Sequence, residues 1–256
     1  MAYEVLSSAY DLLTRDVDYE SIAASIVRLF RSRGLERGTV LDLACGTGTL
    51  SYLLAKAGYE VIGIDSSGEM LAMADFKRDD AGDVIQPIFI MQDMRDLDLY
   101  GTVDACVCML DSVNYILEPE DLLKVFRRVH LFLNPGGIFL FDANTPVHFM
   151  NVDGKTFCDE DESAGVFCVW GIARTDDPNI YQYKVDLFTR VGDGNRRDLW
   201  RRDSEEQFEY AYEPELLRTL LSRAGFTDIK MSSGIEGEAL TGNESRIYVT
   251  ALKASV

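Results

Sequence analysis

The sequence predicts an α/β fold in which a doubly wound parallel sheet carries an inserted antiparallel β cap. Up to residue 142, short apolar runs alternate with segments of helical periodicity, the pattern of a parallel sheet covered by helices. Between residues 146 and 212 this alternation stops, and strand-like runs follow one another without a long helical period. We therefore expect a main domain formed by residues 1–145 and 213–256, and a substrate-covering cap formed by residues 146–212.

The most informative unit of the main domain lies between Thr39 and Asp65. It consists of an apolar run, a turn containing Gly46 and Gly48, a helical pattern that stops at Gly58, and a second apolar run ending on Asp65. A strand, a helix and a returning strand of about 30 residues form a βαβ crossover. Because such sheets bind ligands outside the carboxyl ends of their strands, we expect the glycines and Asp65 to border a ligand site.

The remaining elements of the main domain follow from periodicity and from turn residues. Two amphipathic helices are expected first, over residues 3–18 and from Asp18 to a stop at Gly34. Later helices are expected over residues 66–74, 119–133 and 213–224. Strands are expected over residues 85–91, 103–109, 138–142, 227–231 and 245–251, with turns at residues 79–83 and 134–137.

The cap reads as an antiparallel meander of three or four strands. Strand-like runs cover residues 165–174, 180–191 and 197–212, and turns at residues 176–179 and 192–195 separate them. Its aromatic side chains alternate as the two faces of a strand should, and core packing within the cap accounts for most of them. One or two of these aromatic residues are expected to line a pocket for the substrate.

Composition restricts the class of partner and the compartment. The chain has 25 basic and 43 acidic residues, a formal net charge of −18, which disfavours nucleic acid because its binding depends on Lys and Arg. No apolar run approaches the ~18–20 residues of a membrane span, and the first residues lack the features of a signal peptide. The five cysteines form no C-x-x-C pair, so we expect buried, reduced thiols, no metal site and a cytoplasmic location.

Asp42 decides which ligand the glycine turn accepts. The turn departs from a dinucleotide fingerprint, because Ser51 stands where the third glycine belongs. A carboxylate on the strand just before the glycines repels a pyrophosphate and favours a cationic ligand. S-adenosylmethionine carries an ammonium and a sulfonium group and no phosphate, so the residues favour this ligand.

Three further acidic residues follow the ends of successive strands and fit the same ligand. Asp65 is placed to accept both ribose hydroxyls. Asp93 would accept the adenine amino group, with Met94 flanking the base. Leu110 and Asp111, after the fourth strand, would border the transferred methyl group.

The motifs VLDLACGTG, VIGIDSSGEML, QDMRDL and LNPGGIFLFD resemble those of class I S-adenosylmethionine-dependent methyltransferases. The resemblance covers residues 39–142 closely, and it implies a Rossmann-like, seven-stranded sheet whose last strand inserts antiparallel. The family usually has glycine where this chain has Ala44. The N-terminal segment resembles the lid helices of the bacterial small-molecule subgroup that carries an antiparallel cap after strand five. The cofactor-binding residues expected on these grounds are Tyr10, Tyr19, Asp42, Ala44, Cys45, Gly46, Gly48, Asp65, Ser66, Met70, Asp93, Met94, Leu110 and Asp111.

The reaction expected from the resemblance is an in-line transfer of the methyl group to a nitrogen, oxygen or carbon nucleophile of a small molecule. Alignment and exclusion of water are the main tasks of such an enzyme. The catalytic candidates near the methyl group are Asp111, Asn114, Tyr115 and His148, with Asn144 as a further option. A non-catalytic S-adenosylmethionine-binding protein, a tRNA methyltransferase and a nicotinamide-dependent oxidoreductase are the alternatives, and homodimer formation is left open.

Overall fold

A seven-stranded sheet organises the chain, and the computed structural model describes residues 6–80, 85–191 and 199–255. The elements before the cap are α1 (Tyr10–Leu13), α2 (Tyr19–Ser32), β1 (Thr39–Leu43), α3 (Thr49–Lys56), β2 (Glu60–Asp65), α4 (Gly68–Phe76), β3 (Ile88–Met91), β4 (Val103–Cys108), α5 (Pro119–Phe132) and β5 (Leu133–Asn144). The cap contains α6 (Pro146–Val152), β6 (Thr156–Asp161), β7 (Val166–Arg174), β8 (Ile180–Arg190) and β9 (Trp200–Tyr210). The chain then returns through α7 (Pro214–Ala224), β10 (Phe226–Ser232) and β11 (Arg246–Lys253).

The strand order of the main sheet is β10-β11-β5-β4-β1-β2-β3. β1 pairs in parallel with β2 and β4, and β11 lies antiparallel between β5 and β10. The expected doubly wound sheet with an antiparallel last strand is therefore confirmed. The carboxyl ends of β1, β2, β4 and β5 and the amino end of β11 meet at one edge.

Each face of the main sheet packs on its own set of helices. Apolar residues of α5 and α7 cover one face, and those of α2 and α3 cover the other. Fully buried Phe126 on α5 packs against Phe139 and Phe141 of β5, with ring centroids 5.8 and 5.4 Å apart. Within the described residues, no helix has the length and apolar character needed to cross a membrane.

The cap is a four-stranded antiparallel sheet in the order β6-β7-β8-β9, as expected for a meander. The N-terminal segment packs beneath it, because Leu6 and Ala9 share a buried cluster with Val166 and Leu187. The turn expected at residues 176–179 joins β7 to β8, whereas the one expected at residues 192–195 lies outside the described residues. The division into two domains stays a prediction.

Several boundaries differ from those that the sequence predicts. The first helix is short: a 3₁₀ turn over Leu6–Ala9 precedes α1, and Thr14 ends it by donating its hydroxyl to the carbonyl oxygen of Tyr10, 2.9 Å away. Residues 3–5 of that predicted helix lie outside the described residues. β3 starts only at Ile88, because Pro87 has no N–H to donate to a neighbouring strand.

The region around β5 also corrects the prediction. β5 starts at Leu133, so the predicted turn at residues 134–137 is a bulge within the strand, where the pairing with β4 shifts register. Residues 77–80 form a 3₁₀ turn, and the rest of the turn predicted at 79–83 lies outside the described residues. The sequence pattern did not reveal α6, a short helix of seven residues that starts with Pro146 at its first position.

A substitution at Gly63 tests the close packing between β2 and β3 that supports the glycine turn. A Cβ atom at Gly63 would lie 2.6 Å from the Phe89 ring and 3.0 Å from the Cys45 sulfur. We expect Gly63→Ala to lower the free energy of unfolding by about 1–3 kcal/mol, the usual cost of overpacking. Urea denaturation measures this. Gly101→Ala is the matched control, since a Cβ there meets nothing within 4 Å, and an equal effect of both variants would contradict the packing argument.

Candidate functional site

The turn after β1 is held in a left-handed backbone conformation at three positions. Ala44, Gly46 and Gly48 have φ values of 59°, 55° and 72°. Glycine adopts this conformation without strain, but alanine does so at a cost of roughly 1–2 kcal/mol. The glycine that is usual in the family at this position would therefore avoid a strain that Ala44 carries.

Asp65 ties this turn to the end of β2. Its two carboxylate oxygens accept hydrogen bonds from the backbone N–H groups of Gly46, at 2.8 Å, and Ser67, at 2.9 Å. Burial raises the pKa of Asp65, and these backbone donors oppose that shift. A carboxylate offers about four lone-pair sites, more than its backbone donors occupy, so Asp65 both shapes the turn and presents a carboxylate to the cavity beside it.

Asp42 is buried in β1, with 2% of its surface exposed. Ser51 of α3 donates its hydroxyl to the carboxylate over 2.5 Å. Burial raises the pKa of Asp42 from 3.8 to about 7, and the negative charge of Asp65 acts in the same direction against the Ser51 hydrogen bond. A carboxyl group in this setting gains from a nearby cation.

Asp93 lies beyond β3 at the same edge of the sheet, but Arg95 already engages it. The Arg95 guanidinium contacts both carboxylate oxygens at 2.5–3.1 Å, and this ion pair lowers the pKa of Asp93. Arg95 stands two residues further along the chain and was not singled out from the sequence. Any ligand group that uses Asp93 must share the carboxylate with Arg95.

Leu110 and Asp111, after β4, are both left-handed, with φ values of 59° and 52°. The guanidinium of Arg246, at the start of β11, lies 2.6 Å from the Asp111 carboxylate. It also contacts the carboxylate of Asp142. Burial raises the pKa of Asp142 to about 6 despite the opposing charge of Arg246. Arg246 is a site residue that the sequence reading missed.

The N-terminal segment forms a lid over the glycine turn. The Asp11 carboxylate accepts a hydrogen bond from the Thr47 hydroxyl at 2.6 Å and lies 2.7 Å from the Lys77 ammonium. Lys77 also donates to the hydroxyls of Thr47 and Thr49. Tyr10 and Tyr19 of this segment line one small cavity together with Asp42.

Three adjacent cavities follow the carboxyl edge of the sheet. We name them by position: the outer cavity of about 510 Å³, the inner cavity of about 40 Å³ and the cap cavity of about 480 Å³. Ala44 lines both the outer and the inner cavity, Tyr10 lines both the inner and the cap cavity, and Tyr115 lines both the outer and the cap cavity.

The structure distributes most of the predicted site residues over these cavities. The outer cavity is lined by Ala44, Asp65, Ser66, Asp93, Met94 and Tyr115. The inner cavity is lined by Tyr10, Tyr19, Asp42, Ala44, Cys45, Gly46 and Leu110. The cap cavity is lined by Tyr10, Asp111, Tyr115, Asn144 and His148.

Three predicted residues lie outside the lining of all three cavities. Gly48 is the N-cap residue just before α3, and Met70 is buried, with its backbone N–H donating to the Ser67 hydroxyl. Asn114 is fully buried: its amide nitrogen donates to the carbonyl oxygens of Asn144 and Tyr210, and its amide oxygen accepts from the N–H of Asn144. Since backbone groups use the Asn114 amide, this residue joins β5 to β9 and is placed to support the site.

His148 lies on α6, in the wall of the cap cavity. Burial lowers the pKa of this histidine, so its neutral form is favoured near pH 7, although the negative charge of Asp111 opposes the shift. The structure adds two buried polar residues of β9 to the same wall, Gln207 and Glu209. Tyr115 donates its hydroxyl to the side-chain oxygen of Gln207 at 3.1 Å.

Among the described residues, no group of three or more His, Cys, Asp or Glu side chains is arranged to hold a metal ion.

Fold and site together define a doubly wound α/β protein that binds a nucleoside-containing ligand at the carboxyl edge of its sheet. The acid on β1, the glycine turn and the acid ending β2 are the features that carry this assignment.

Comparisons with known proteins identify the family. Residues 40–137 match the model of a methyltransferase domain. YqeM of Bacillus subtilis, named as a methyltransferase, is 31% identical over 262 residues, covering 99% of this chain and 98% of that protein. A solved S-adenosylmethionine-dependent methyltransferase from Clostridium acetobutylicum is 28% identical, with a TM-score of 0.84 and full coverage of both chains. DesVI of Streptomyces venezuelae is 27% identical, with a TM-score of 0.78, covering 98% of this chain and 100% of that one.

The chain therefore belongs to the class I S-adenosylmethionine-dependent methyltransferases of the small-molecule subgroup. Its cofactor is S-adenosylmethionine and it is an enzyme of methyl transfer, as the motifs predicted. The interpretations as a nicotinamide-dependent oxidoreductase and as a non-catalytic binder are set aside.

A substitution at Asn114 distinguishes a supporting role of this residue from a catalytic one. We expect Asn114→Ala to lower the free energy of unfolding by about 3 kcal/mol or more, because it leaves several buried backbone groups without partners. Urea denaturation measures the loss. Asn151→Ala, at an exposed position of α6, is the control and should change the free energy by less than ~0.5 kcal/mol. An unchanged stability of Asn114→Ala would contradict the supporting role.

Proposed function

We propose that the methyl group is transferred by in-line displacement to a nitrogen, oxygen or carbon atom of a small molecule held in the cap cavity. The observation that carries this proposal is the position of that cavity, which shares Tyr10 with the inner cavity and Tyr115 with the outer cavity. A volume of about 480 Å³ lies in the usual range for small-molecule sites. The net charge of −18 supports a small molecule over a nucleic acid.

The residues around the outer cavity fit the adenosine half of the cofactor. Asp65 is proposed to accept the ribose hydroxyls with the lone pairs that Gly46 and Ser67 leave available. Asp93 and Met94 are proposed to border the adenine base, with Arg95 keeping the Asp93 carboxylate ionised. When bound, S-adenosylmethionine supplies a methyl group already activated by its sulfonium.

The inner cavity fits the cationic end of the cofactor, since Asp42 brings a buried carboxyl group to it. Its volume is about 40 Å³, and Tyr10 and Tyr19 of the lid are among the residues that line it. We propose that the lid moves outward to admit the cofactor and closes again. The contacts of Asp11 with Thr47 and Lys77 are suited to this, because both charged side chains are partly exposed and the pair is easily separated.

Orientation of the acceptor is the main contribution that these residues make to the rate. Asp111 is proposed to act with Arg246 as a fixed polar wall, and Tyr115 to fix Gln207 beside the acceptor. His148, neutral by burial, is proposed as a hydrogen-bonding residue of the acceptor pocket.

The five unpaired cysteines support the proposal of a reducing, cytoplasmic compartment, and homodimer formation stays a prediction.

The ribose role of Asp65 is tested by calorimetric titration with S-adenosylhomocysteine. We expect Asp65→Ala to weaken binding on the order of 100-fold, since two hydrogen bonds to a charged acceptor are lost. Asp98→Ala removes the same charge from an exposed loop outside the three cavities and should leave the affinity unchanged. An unaltered affinity in Asp65→Ala would refute the proposed role, and wild-type protein that binds NAD but not S-adenosylhomocysteine would overturn the cofactor placement.

Asp42 makes cofactor binding depend on pH. With a pKa of about 7, its carboxyl group is mostly protonated at pH 6 and mostly ionised at pH 8. A cationic ammonium needs the ionised form, so we expect the affinity for S-adenosylhomocysteine to rise about tenfold from pH 6 to pH 8, relative to Asp42→Asn. Asp42→Asn keeps an acceptor for the Ser51 hydroxyl. Any pH dependence that comes from ionisation of the ligand itself is the same in both proteins. The same pH profile in both proteins would exclude Asp42 as the source.

A further inference from the structure

The inner face of β9 is polar, although it is the buried face of that strand. Gln207 and Glu209 are 5% and 2% exposed, whereas Phe208 between them is 36% exposed. A strand selected only for stability would place the phenylalanine inside and the polar residues outside. The reversed pattern indicates that the buried face of β9 is shaped for a ligand of the cap cavity.

Glu209 has an oxygen that no group among the described residues satisfies. Its Oε2 atom is buried and has no hydrogen-bond partner within the described part of the chain, and the same holds for the side-chain oxygen of Asn144 in the same cavity wall. Tyr115 and Asn144 interact with the Glu209 carboxyl group, which leaves Oε2 as the unsatisfied atom. Two orphaned acceptor atoms in one wall call for a ligand with several N–H or O–H donors.

The charges around Glu209 specify the sign of that ligand. Arg246 is already bonded to Asp111 and Asp142, so one guanidinium faces two carboxylates before Glu209 is counted. His148 contributes no cation while its pKa is lowered by burial. An unpaired buried carboxylate is costly, and a cationic group on the ligand would remove that cost.

The other walls of the cap cavity fit an ammonium group on an apolar body. Tyr10, Trp170 and Tyr183 offer aromatic rings, and Leu13, Ile172 and Val185 offer aliphatic side chains. Aromatic rings attract cations through their faces. An alcohol would supply one donor for the two orphaned oxygens, whereas a primary ammonium supplies three.

We propose that the methyl acceptor is an amine with at least one N–H, bound as its ammonium form against Glu209, and that Glu209 accepts its proton before transfer. This rests on the proposed function, methyl transfer at the cap cavity. The N–H bond breaks and its proton forms an O–H bond on Glu209. The amine lone pair then attacks the methyl carbon, forming a C–N bond as the C–S bond breaks, and the electron pair of that bond goes to the sulfur, which becomes a neutral thioether.

The acid–base properties of Glu209 agree with this role. Burial raises its pKa well above the ordinary value, and the charge of Asp111 adds to the shift, while Asn144, Arg246 and Tyr115 oppose it. A more basic carboxylate is a better proton acceptor for an ammonium near neutral pH.

The test compares amines with alcohols of the same shape. Benzylamine and cyclohexylmethylamine, with benzyl alcohol and cyclohexylmethanol, are titrated into the protein saturated with S-adenosylhomocysteine. We expect each amine to bind wild-type protein at least tenfold more tightly than its alcohol, and Glu209→Gln to abolish that difference. Glu162→Gln, at an exposed site of the cap, is the matched control and should retain it. Equal binding of amine and alcohol, including no measurable binding of either, overturns the proposal.

Methyl transfer gives a second readout on the same amines. With labelled S-adenosylmethionine, we expect N-methylated product from wild-type protein and a kcat lower by about 10²–10⁴-fold in Glu209→Gln, the usual contribution of a general base. Glu209→Asp should retain more activity than Glu209→Gln. O-methylation of the alcohols with inert amines would contradict the amine assignment. Binding of S-adenosylhomocysteine is measured first in every variant, so that a misfolded protein or a failed cofactor site is distinguished from a failed amine site.

Discussion

The concentration of carboxyl groups at the carboxyl edge of the sheet governs the chemistry of this protein. Parallel strands that end side by side bring Asp42, Asp65, Asp111 and Asp142 to one edge, where burial raises the pKa of three of them. Like charges that are buried away from water repel each other more strongly than like charges on the surface do. The edge can therefore be stabilised by hydrogen bonds from the backbone, by a cation of the protein, or by a cation of a ligand.

All three solutions are present or proposed along this edge. Asp65 uses the backbone N–H groups of Gly46 and Ser67, and the hydrogen bond from Gly46 also ties the glycine turn to the end of β2. Asp111 and Asp142 share Arg246, which reaches them because the antiparallel β11 brings its first residue to the edge where β5 ends. Asp42 accepts a hydrogen bond from the Ser51 hydroxyl and has no cationic partner among the described residues, so a ligand cation would stabilise its ionised form.

Local sequence predicted the parts of the site whose geometry is set by neighbouring residues. The strand, glycine turn and helix between Thr39 and Asp65 form a contiguous unit, so Asp42 and Asp65 could be placed before any tertiary contact was known. Arg246 and Glu209 were missed because their positions depend on how β11 and β9 pair and which face is buried. In β9 the alternation of polar and apolar residues is visible in the sequence, but only packing under the cap shows that the polar set points inward. Asn114 was expected near the transferred methyl group, and its hydrogen bonds to backbone groups could not be foreseen for the same reason, since those partners are 30 and 96 residues away.

In the proposed mechanism, the buried carboxyl groups of Asp42 and Glu209 receive different cations. Asp42 would meet the ammonium of the cofactor, which keeps its charge through the reaction, so this contact holds from binding to release. Glu209 would meet an ammonium that gives up its proton, so the ion pair becomes a neutral acid beside a neutral amine just before transfer. Methylation then restores the positive charge on the nitrogen while Glu209 is protonated, and the attraction that held the acceptor is absent for the product. The same buried carboxyl group would thus favour binding of the acceptor and weaken binding of the product, because its charge differs between the two states.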